Sequence, residues 1–532
     1  MKKTIISALM LLIAGAGLFA QNLDPTVVVT NTYSQQAGTV EKPSQLHEMP
    51  DSVMHFNLDF DYSALSVPYQ GAYEFKPYLV ELRPTNRPST EGKFYLSAGA
   101  GYTFRPELSL VWTPVQKDYF KLNVYADHNS FLGRFSGPSG TFGGARMRSL
   151  AGVNALYTWT GARLEADIRY RNIIGGHEDQ PSSVFHAVDF GIKVESDPDA
   201  SLYYIAKNKS TVMNFQLGKE VHSKTEAGIG TRFGEHYLRI GILADILSKD
   251  PGSAGIIGIT PRYIFNHGDF CFDLGVKASF MFRSSADFYN LANYPWRVFY
   301  PVFPDVRITY CVIPDMMALY ARVYGGHVMN TYEQLADINP FIASFAGTLD
   351  ASVERWNASI GARGNIAEHF YYDLRVGYAL RANAFLWGFE MVEGRPVPAF
   401  GFIPKYHMFY TDLTLGWKGE HFDFDGKFLL QKAWIDEARL MCLPLVQGNA
   451  KLVYKWGGRI RAGVTLSGQS EKVSREYTVP GFADLGLLGD IQMTQALGFW
   501  LKAGNLLGQD LQYIPFHAEK GVYVTVGVRF NL

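Results

Sequence analysis

From Lys93 to its last residue the chain alternates apolar and polar positions with a period of two. The alternation holds in spans of about ten residues, the length a tilted strand needs to cross a bilayer. In the first span Phe94, Leu96, Ala98, Ala100, Tyr102 and Phe104 share one face, against Tyr95, Ser97, Gly99, Gly101 and Thr103. Farther on, Ala162, Leu164, Ala166, Ile168 and Tyr170 alternate with Arg163, Glu165, Asp167, Arg169 and Arg171. Phe272, Leu274, Val276, Ala278 and Phe280 alternate with Asp273, Gly275, Lys277 and Ser279. Ile460, Ala462, Val464 and Leu466 alternate with Arg461, Gly463 and Thr465. The final span, from Val522, keeps Val524, Val526, Val528, Phe530 and Leu532 on one face to the end of the chain.

A soluble β-sandwich also alternates, so the connections carry the decision. Asn266 to Asp269 and Asn365 to Glu368 are tight, whereas Arg283 to Trp296 and Ala382 to Lys405 are long. Tight turns at one rim and long loops at the other belong to a transmembrane barrel. The expected fold is therefore all-β, an antiparallel transmembrane β-barrel of roughly 20 to 22 strands, with about 16 as the lower alternative; an even count returns both ends to one side. Asp197 to Val221 is the stretch with the weakest alternation. A chain that ends inside a strand must pair that edge, because unsatisfied backbone groups in lipid are costly. Closure of the last strand against the first, near Lys93, satisfies it.

The tight turns share a chemistry. Glu235-His236-Tyr237, Glu368-His369-Phe370 and Glu420-His421-Phe422 each place charge at the turn and an aromatic ring at the strand start. Such rings suit the depth where one edge is wet and the body is apolar. The Glu-His pairs fall on separate turns, so no metal site is expected from them.

Ahead of the barrel, Lys2 and Lys3 precede an apolar run from Ile5 to Phe19, with a cut expected after Ala20, which reads as a signal peptide. No Cys follows the cut, so no lipid anchor is expected there. Residues 21–90 are polar and punctuated by Pro25, Pro43, Pro50, Pro68, Pro77, Pro84 and Pro88, and read as an extended periplasmic segment; the barrel is expected over residues 91–532. Within the segment Asp24, Thr26, Val27, Val28 and Val29 form a short β-prone run suited to adding a strand to a partner's sheet edge. Packing of the same run under the barrel mouth is the alternative.

Composition narrows the class. Hydrophobic residues make up 47% and charged residues 19%, and past residue 20 there is no run of apolar residues long enough for a transmembrane helix. Aromatics reach 14%, with 37 Phe, 31 Tyr and 9 Trp, an excess that girdles at two membrane interfaces would use. Cys271, Cys311 and Cys442 are too few and too scattered for a disulfide framework, and a net charge of −1 gives no support for nucleic-acid binding.

Arg163, Glu165, Asp167, Arg169, Arg171, Asp273 and Lys277 are the candidate lumen-lining residues. Opposite charges side by side neutralise one another, so the Arg163–Arg171 stripe is read as an ion-pair ladder with Glu165 and Asp167 in preference to a solute path. No nucleophile elbow, HExxH, P-loop or dinucleotide fingerprint occurs, so neither an enzyme nor a cofactor is expected. His177-Glu178-Asp179 is read as a solvated outer loop, and Gly133 to Gly144 as a flexible one. Trp296, Tyr300, Trp387 and Phe389 are read as outer girdle in preference to sugar-stacking residues.

The run Asp484-Leu485-Gly486-Leu487, then Ala503-Gly504-Asn505-Leu506-Leu507-Gly508-Gln509-Asp510, Tyr513, Pro515, Gly521 and Phe530, resembles the last strands of TonB-dependent receptor barrels. Asn330-Thr331-Tyr332 with Leu335 and Asn339-Pro340-Phe341 resembles an outer loop of that family, and Asp24 to Thr30 is similar to its TonB box. The chain departs in having no room for a plug domain between Ala20 and Lys93, and the layout looks like the plugless receptor-related barrels of the Bacteroidetes. Leu532 stands where the family ends in an aromatic, leaving Phe530 with Leu532 as the candidate signal for the barrel-assembly machinery. The resemblance implies a place in outer-membrane lipid, a TonB-like energising partner and passage of an unidentified solute. The alternative is a non-transporting structural or assembly subunit that recruits other envelope proteins through its periplasmic segment. So wide a tube leaks if empty, so inward loops, the N-terminal segment or a partner should close it.

Overall fold

The computed structural model describes residues 93–532 apart from 103, 138–139, 178–179, 198–199, 201, 217, 250–251, 284–301, 315, 339–350, 367–368, 393–394, 436–442, 474–476 and 514–518. The expected signal peptide and the run from Asp24 to Thr30 lie outside the described residues.

The described chain is a succession of antiparallel hairpins. It opens with β1 (Phe94–Tyr102), β2 (Glu107–Lys117), β3 (Phe120–Gly137), β4 (Gly140–Trp159), β5 (Ala162–His177) and β6 (Gln180–Ser196). Next come β7 (Leu202–Phe215), β8 (Gly218–Phe233), β9 (His236–Lys249), β10 (Gly252–His267), β11 (Phe270–Arg283), β12 (Val302–Ile313) and β13 (Met317–Val328). A short helix, α1 (Tyr332–Ile338), precedes β14 (Ser352–Ile366), β15 (Phe370–Val392), β16 (Arg395–Lys418), β17 (Phe422–Trp434), β18 (Val446–Trp456) and β19 (Ile460–Gln469). A two-rung hairpin, β20 (Lys472–Val473) and β21 (Thr478–Val479), leads to β22 (Phe482–Gln492), β23 (Leu497–Gly504), β24 (Glu519–Lys520) and β25 (Tyr523–Asn531). All but β20, β21 and β24 form a closed 22-strand barrel, the upper end of the expected range; about 16 strands is excluded. Asp197 to Val221 supplies β7 and the start of β8.

Closure is as expected. β25 pairs with β1 from Tyr95 opposite Asn531 to Tyr102 opposite Val524. Phe94 N donates to Leu532 O at 3.0 Å and Leu532 N to Phe94 O at 2.8 Å, so the terminal backbone groups satisfy one another. Inside the seam, the Trp500 ring lies flat where a Cβ on Gly99 or Gly527 would stand, 2.5 and 2.3 Å from ring atoms. At the opposite rim β24 reaches past the short β1–β2 hairpin to pair with β3, and Glu519 bonds Arg146 at 3.1 Å.

Alternation sorts the two faces. Ile168, Leu274, Val276, Phe280 and Val526 are exposed on the outside, while Arg171, Asp189, Asp273, Thr525 and Arg529 are buried on the inside. The inner face carries a repeated strap: a Tyr lies over a Gly on the next strand and donates to a carboxylate on the strand beyond. Tyr125 crosses Gly152 to Asp167 at 2.6 Å, Tyr320 crosses Gly361 to Asp373 at 2.7 Å, and Tyr371 crosses Gly416 to Asp425 at 2.6 Å. Glycine is needed there because a side chain would occupy the ring's place.

The start of β1, the end of β25 and the tight turns share one rim. Gly234 and Gly268 take the positive φ that two-residue hairpin turns require. The turn histidines serve neighbouring strands: His236 Nδ1 meets Tyr263 Oη at 2.7 Å, and His369 Nδ1 donates to Lys418 O at 2.8 Å. Among the described residues no group of three or more His, Cys, Asp or Glu side chains could hold a metal.

Two expected loops are strands instead. Ala382 to Lys405 continues the β15–β16 ladder, from Ala382 opposite Lys405 to Val392 opposite Arg395. Gly133 to Gly144 continues β3–β4 in the same way. The β15 extension, Ala384-Phe385-Leu386-Trp387, is apolar at consecutive positions, so it shows no period of two. It is covered on both faces: Leu386 is 1% exposed and Trp387 3%. Trp387 therefore belongs neither to an exposed girdle nor to an open stacking surface. Trp296 and Tyr300 lie outside the described residues.

Candidate functional site

α1 belongs to the connection between β13 and β14, on the loop side of the barrel. Thr331 caps it: its Oγ1 accepts from Gln334 N at 3.2 Å while Gln334 Oε1 accepts from Thr331 N at 3.4 Å, a capping box. Pro340 in the sequence disfavours helix at Asn339. So short a helix is marginal alone, and its stability comes from what it touches. Tyr332, Glu333, Leu335 and Ala336 are buried.

What they touch lies far round the wall from β13. Tyr332, Leu335 and Ala336 join Ile173 of β5, Phe185 and Ala187 of β6, Met213 and Phe215 of β7, and Trp387 of β15 in one apolar cluster. The Tyr332 ring stacks on Phe215 at 5.2 Å and lies under Lys249 Nζ of β9 at 3.6 Å. The loop thus leaves its own strands and places α1 inside the lumen, against the inner face of β5–β9 near their loop-side ends.

Charge fixes it there. Glu220 of β8 accepts from Tyr332 N at 2.9 Å and Glu333 N at 3.1 Å, satisfying two free donors of the first helical turn. Glu333 in turn meets Arg171 at 2.6 Å, Lys209 at 3.1 Å and His222 at 3.8 Å. Burial alone would raise the Glu333 carboxyl, but the His222 contact and the charges of Lys209 and Arg171 hold it well below the usual carboxylate range. Arg171 also bonds Asp189 at 2.6 Å and Asp337 at 3.2 Å, so one guanidinium joins the barrel wall to both ends of the helix.

The expected stripe on β5 is therefore a set of ion pairs, but with other partners than expected. Arg163 pairs with Glu195 at 2.6 Å and Arg169 with Asp189 at 2.9 Å, both on β6. Glu165 accepts from Asn154 at 3.3 Å and Asp167 from Tyr125 at 2.6 Å. Side chains two apart on one strand point the same way, yet the partner directly across the ladder is nearer. On β11, Asp273 bonds Arg262 at 2.7 Å and Lys277 is buried. His177 closes β5, while Glu178 and Asp179 lie outside the described residues. Phe530 lies on the outer face of β25, and Leu532, also exposed, follows the strand's last residue.

Sequence reading missed Glu333, Asp337 and Glu220. The available signal was the Thr331-x-x-Gln334 box followed by Pro340, a helix start and stop inside a barrel loop. Nothing local, however, announces which wall such a helix meets.

No protein-family model matches the chain, and no curated protein matches it. Among solved structures the chain is similar to the ferric yersiniabactin uptake receptor FyuA from Yersinia pestis, with a TM-score of 0.62 and 10% identity over 82% of this chain and 80% of that one. It is similar also to the ferric-catecholate import receptor Fiu from E. coli, with a TM-score of 0.61 and 8% identity over 83% and 82% of the two chains. A third similar structure is the copper transporter OprC, with a TM-score of 0.59 and 12% identity over 82% and 80%. At these identities the likeness establishes a shared barrel fold.

Proposed function

We propose that the chain is an outer-membrane transporter of the TonB-dependent-receptor type that passes an unidentified solute through its lumen, with α1 as an inward gate. The observation that carries this reading is a closed 22-strand barrel with a helix docked inside it by ion pairs, an attachment that can release without unfolding the wall. The fold it shares belongs to proteins described as a copper transporter and as a ferric yersiniabactin uptake receptor. In this reading the signal peptide exports the chain, Phe530 and Leu532 address the barrel-assembly machinery, and lipid meets the outer face. Asp24, Thr26, Val27, Val28 and Val29 give a TonB-like protein its handle, in the manner of the plugless Bacteroidetes barrels.

Conductance in planar bilayers tests the gate, and uptake by cells tests the handle. The wild-type chain should conduct weakly and Glu333→Gln strongly. Deletion of residues 24–30 should abolish energised uptake while leaving the bilayer record unchanged. The docked helix equally suits a barrel kept shut, the structural or assembly subunit. Silence of Glu333→Gln, with envelope proteins co-purifying through the N-terminal segment, would establish that reading instead.

A further inference from the structure

The donors that hold α1 come from separate strands and converge on its acidic side chains. Glu333 meets Arg171 of β5, Lys209 of β7 and His222 of β8, and Asp337 meets Arg171 and, at 3.3 Å, Arg148 of β4. With α1 withdrawn, Arg171 keeps Asp189 and His222 keeps Asp245 at 2.7 Å. Among the described residues Arg148 and Lys209 form ion pairs with the helix alone. No carboxylate stands directly across from either: Arg148 faces Asn129 and Ile173 in its ladders, and Lys209 faces Gly191 and Lys224. Asp127 of β3 is near enough to Arg148 for their charges to interact, without an ion pair. Glu220, stripped of its helix donors, stands opposite Lys249 in the β8–β9 ladder. The edge of this site is open to the lumen, since the Lys209 side chain is 57% exposed and that of Arg148 31%, against 5% for Arg171. An incoming anion therefore reaches Lys209 and Arg148 while α1 is still docked, and Arg171 once the helix yields it.

We infer that Glu333 and Asp337 occupy the solute's own site, and that the solute is a dicarboxylate that replaces them at Arg148, Arg171 and Lys209 and so releases α1. This rests on the lumen being a solute path with α1 as its gate. The helix carboxylates are four residues apart on one face, their Cβ atoms about 6 Å from each other. A ligand with two carboxylates at a similar separation makes the same charge-assisted hydrogen bonds. Because it binds only where the helix has left, it shifts the equilibrium toward the undocked state.

The test measures binding of radiolabelled adipate to the full chain in nanodiscs by equilibrium dialysis, with hexanoate as the single-carboxylate control. Adipate should bind and hexanoate should bind more weakly by roughly tenfold or more, the scale of a lost charged hydrogen bond. The two sides of the site should respond with opposite signs. Arg148→Gln/Lys209→Gln removes donors and should weaken adipate by roughly tenfold, whereas Glu333→Gln/Asp337→Asn removes the competitor and should tighten it by a similar factor. Asp423→Asn/Asp425→Asn, an equal change of charge on the inner face of β17, should leave affinity unchanged. Heat-modifiable migration on gels reports whether each barrel is assembled, and the single replacements carry the same expectations if a pair fails to assemble. No adipate binding, equal binding of hexanoate, or tightening in the β17 pair as large as in the helix pair would each overturn the inference. So would a helix pair that binds adipate no more tightly than the wild-type chain. Conductance separates the inference from the transport reading: a barrel that conducts in Glu333→Gln but ignores adipate sinks the dicarboxylate site alone, and one that binds adipate as expected but never conducts sinks transport alone.

Discussion

On the β5–β9 wall Arg171 meets Asp189, Glu333 and Asp337 and is 4% exposed; on the β12–β14 wall Arg322 meets one tyrosine ring and stays partly open. Both are arginines at inward positions of period-two strands, and both have cross-strand neighbours of either charge within a few rungs. The difference comes from what crosses the lumen. α1 brings two carboxylates to Arg171, whereas among the described residues Arg322 has a ring beneath it and no ion pair. On a barrel wall the pattern of polar positions guarantees only that a side chain faces inward. Whether it holds the structure together or stays available to a solute is settled by residues distant in sequence.

The sharpest way to break this contrast is Arg171→Ala. Removing one partner from a buried charge cluster costs about 3–5 kcal/mol, because the carboxylates left behind lose their compensation. Here the cost should fall on docking of α1 rather than on the barrel, whose ladder does not pass through that side chain. Bilayer conductance should rise steeply while heat-modifiable migration stays normal. A barrel that falls apart instead would show that the network supports the wall and not the helix. Next in size is Leu274→Arg on the outer face of β11, expected to cost about 2–4 kcal/mol near the membrane midplane. Asp273→Asn, its inward neighbour, should be milder, since the amide oxygen still accepts from Arg262. Chemical denaturation in liposomes compares the two, and equal damage would contradict the assignment of faces on which both walls depend.

Much of this was legible along the chain. The faces of β1, β5, β11, β19 and β25, the closure at Lys93 and the asymmetry of the rims follow from alternation and turn chemistry, which are local properties. The β15–β16 extension was not, because Phe385, Leu386 and Trp387 are apolar in succession and a ribbon buried on both faces has no polar side to alternate with. The partners of Arg163 and Arg169 were misassigned to their own strand because ladder register is a relation between strands. The latch was unreadable for a stronger reason: Arg171 and Glu333 lie far apart in sequence, and only the crossing of the lumen by α1 joins them.

The smallest effect tests what the two walls share. Tyr125 over Gly152 and Tyr320 over Gly361 are the same strap on two sides of the barrel, and a Cβ would fall 2.6 and 2.4 Å from the respective ring Cζ atoms. Overpacking of this kind costs about 1–3 kcal/mol, so Gly152→Ala and Gly361→Ala should lower unfolding stability alike. Gly191→Ala, whose nearest neighbour is Asp167 Cβ at 3.5 Å, supplies the near-neutral reference. Chemical denaturation in liposomes compares the three, and a loss in Gly191→Ala as large as in the other two would show that the ring-over-glycine contact is not what the straps contribute.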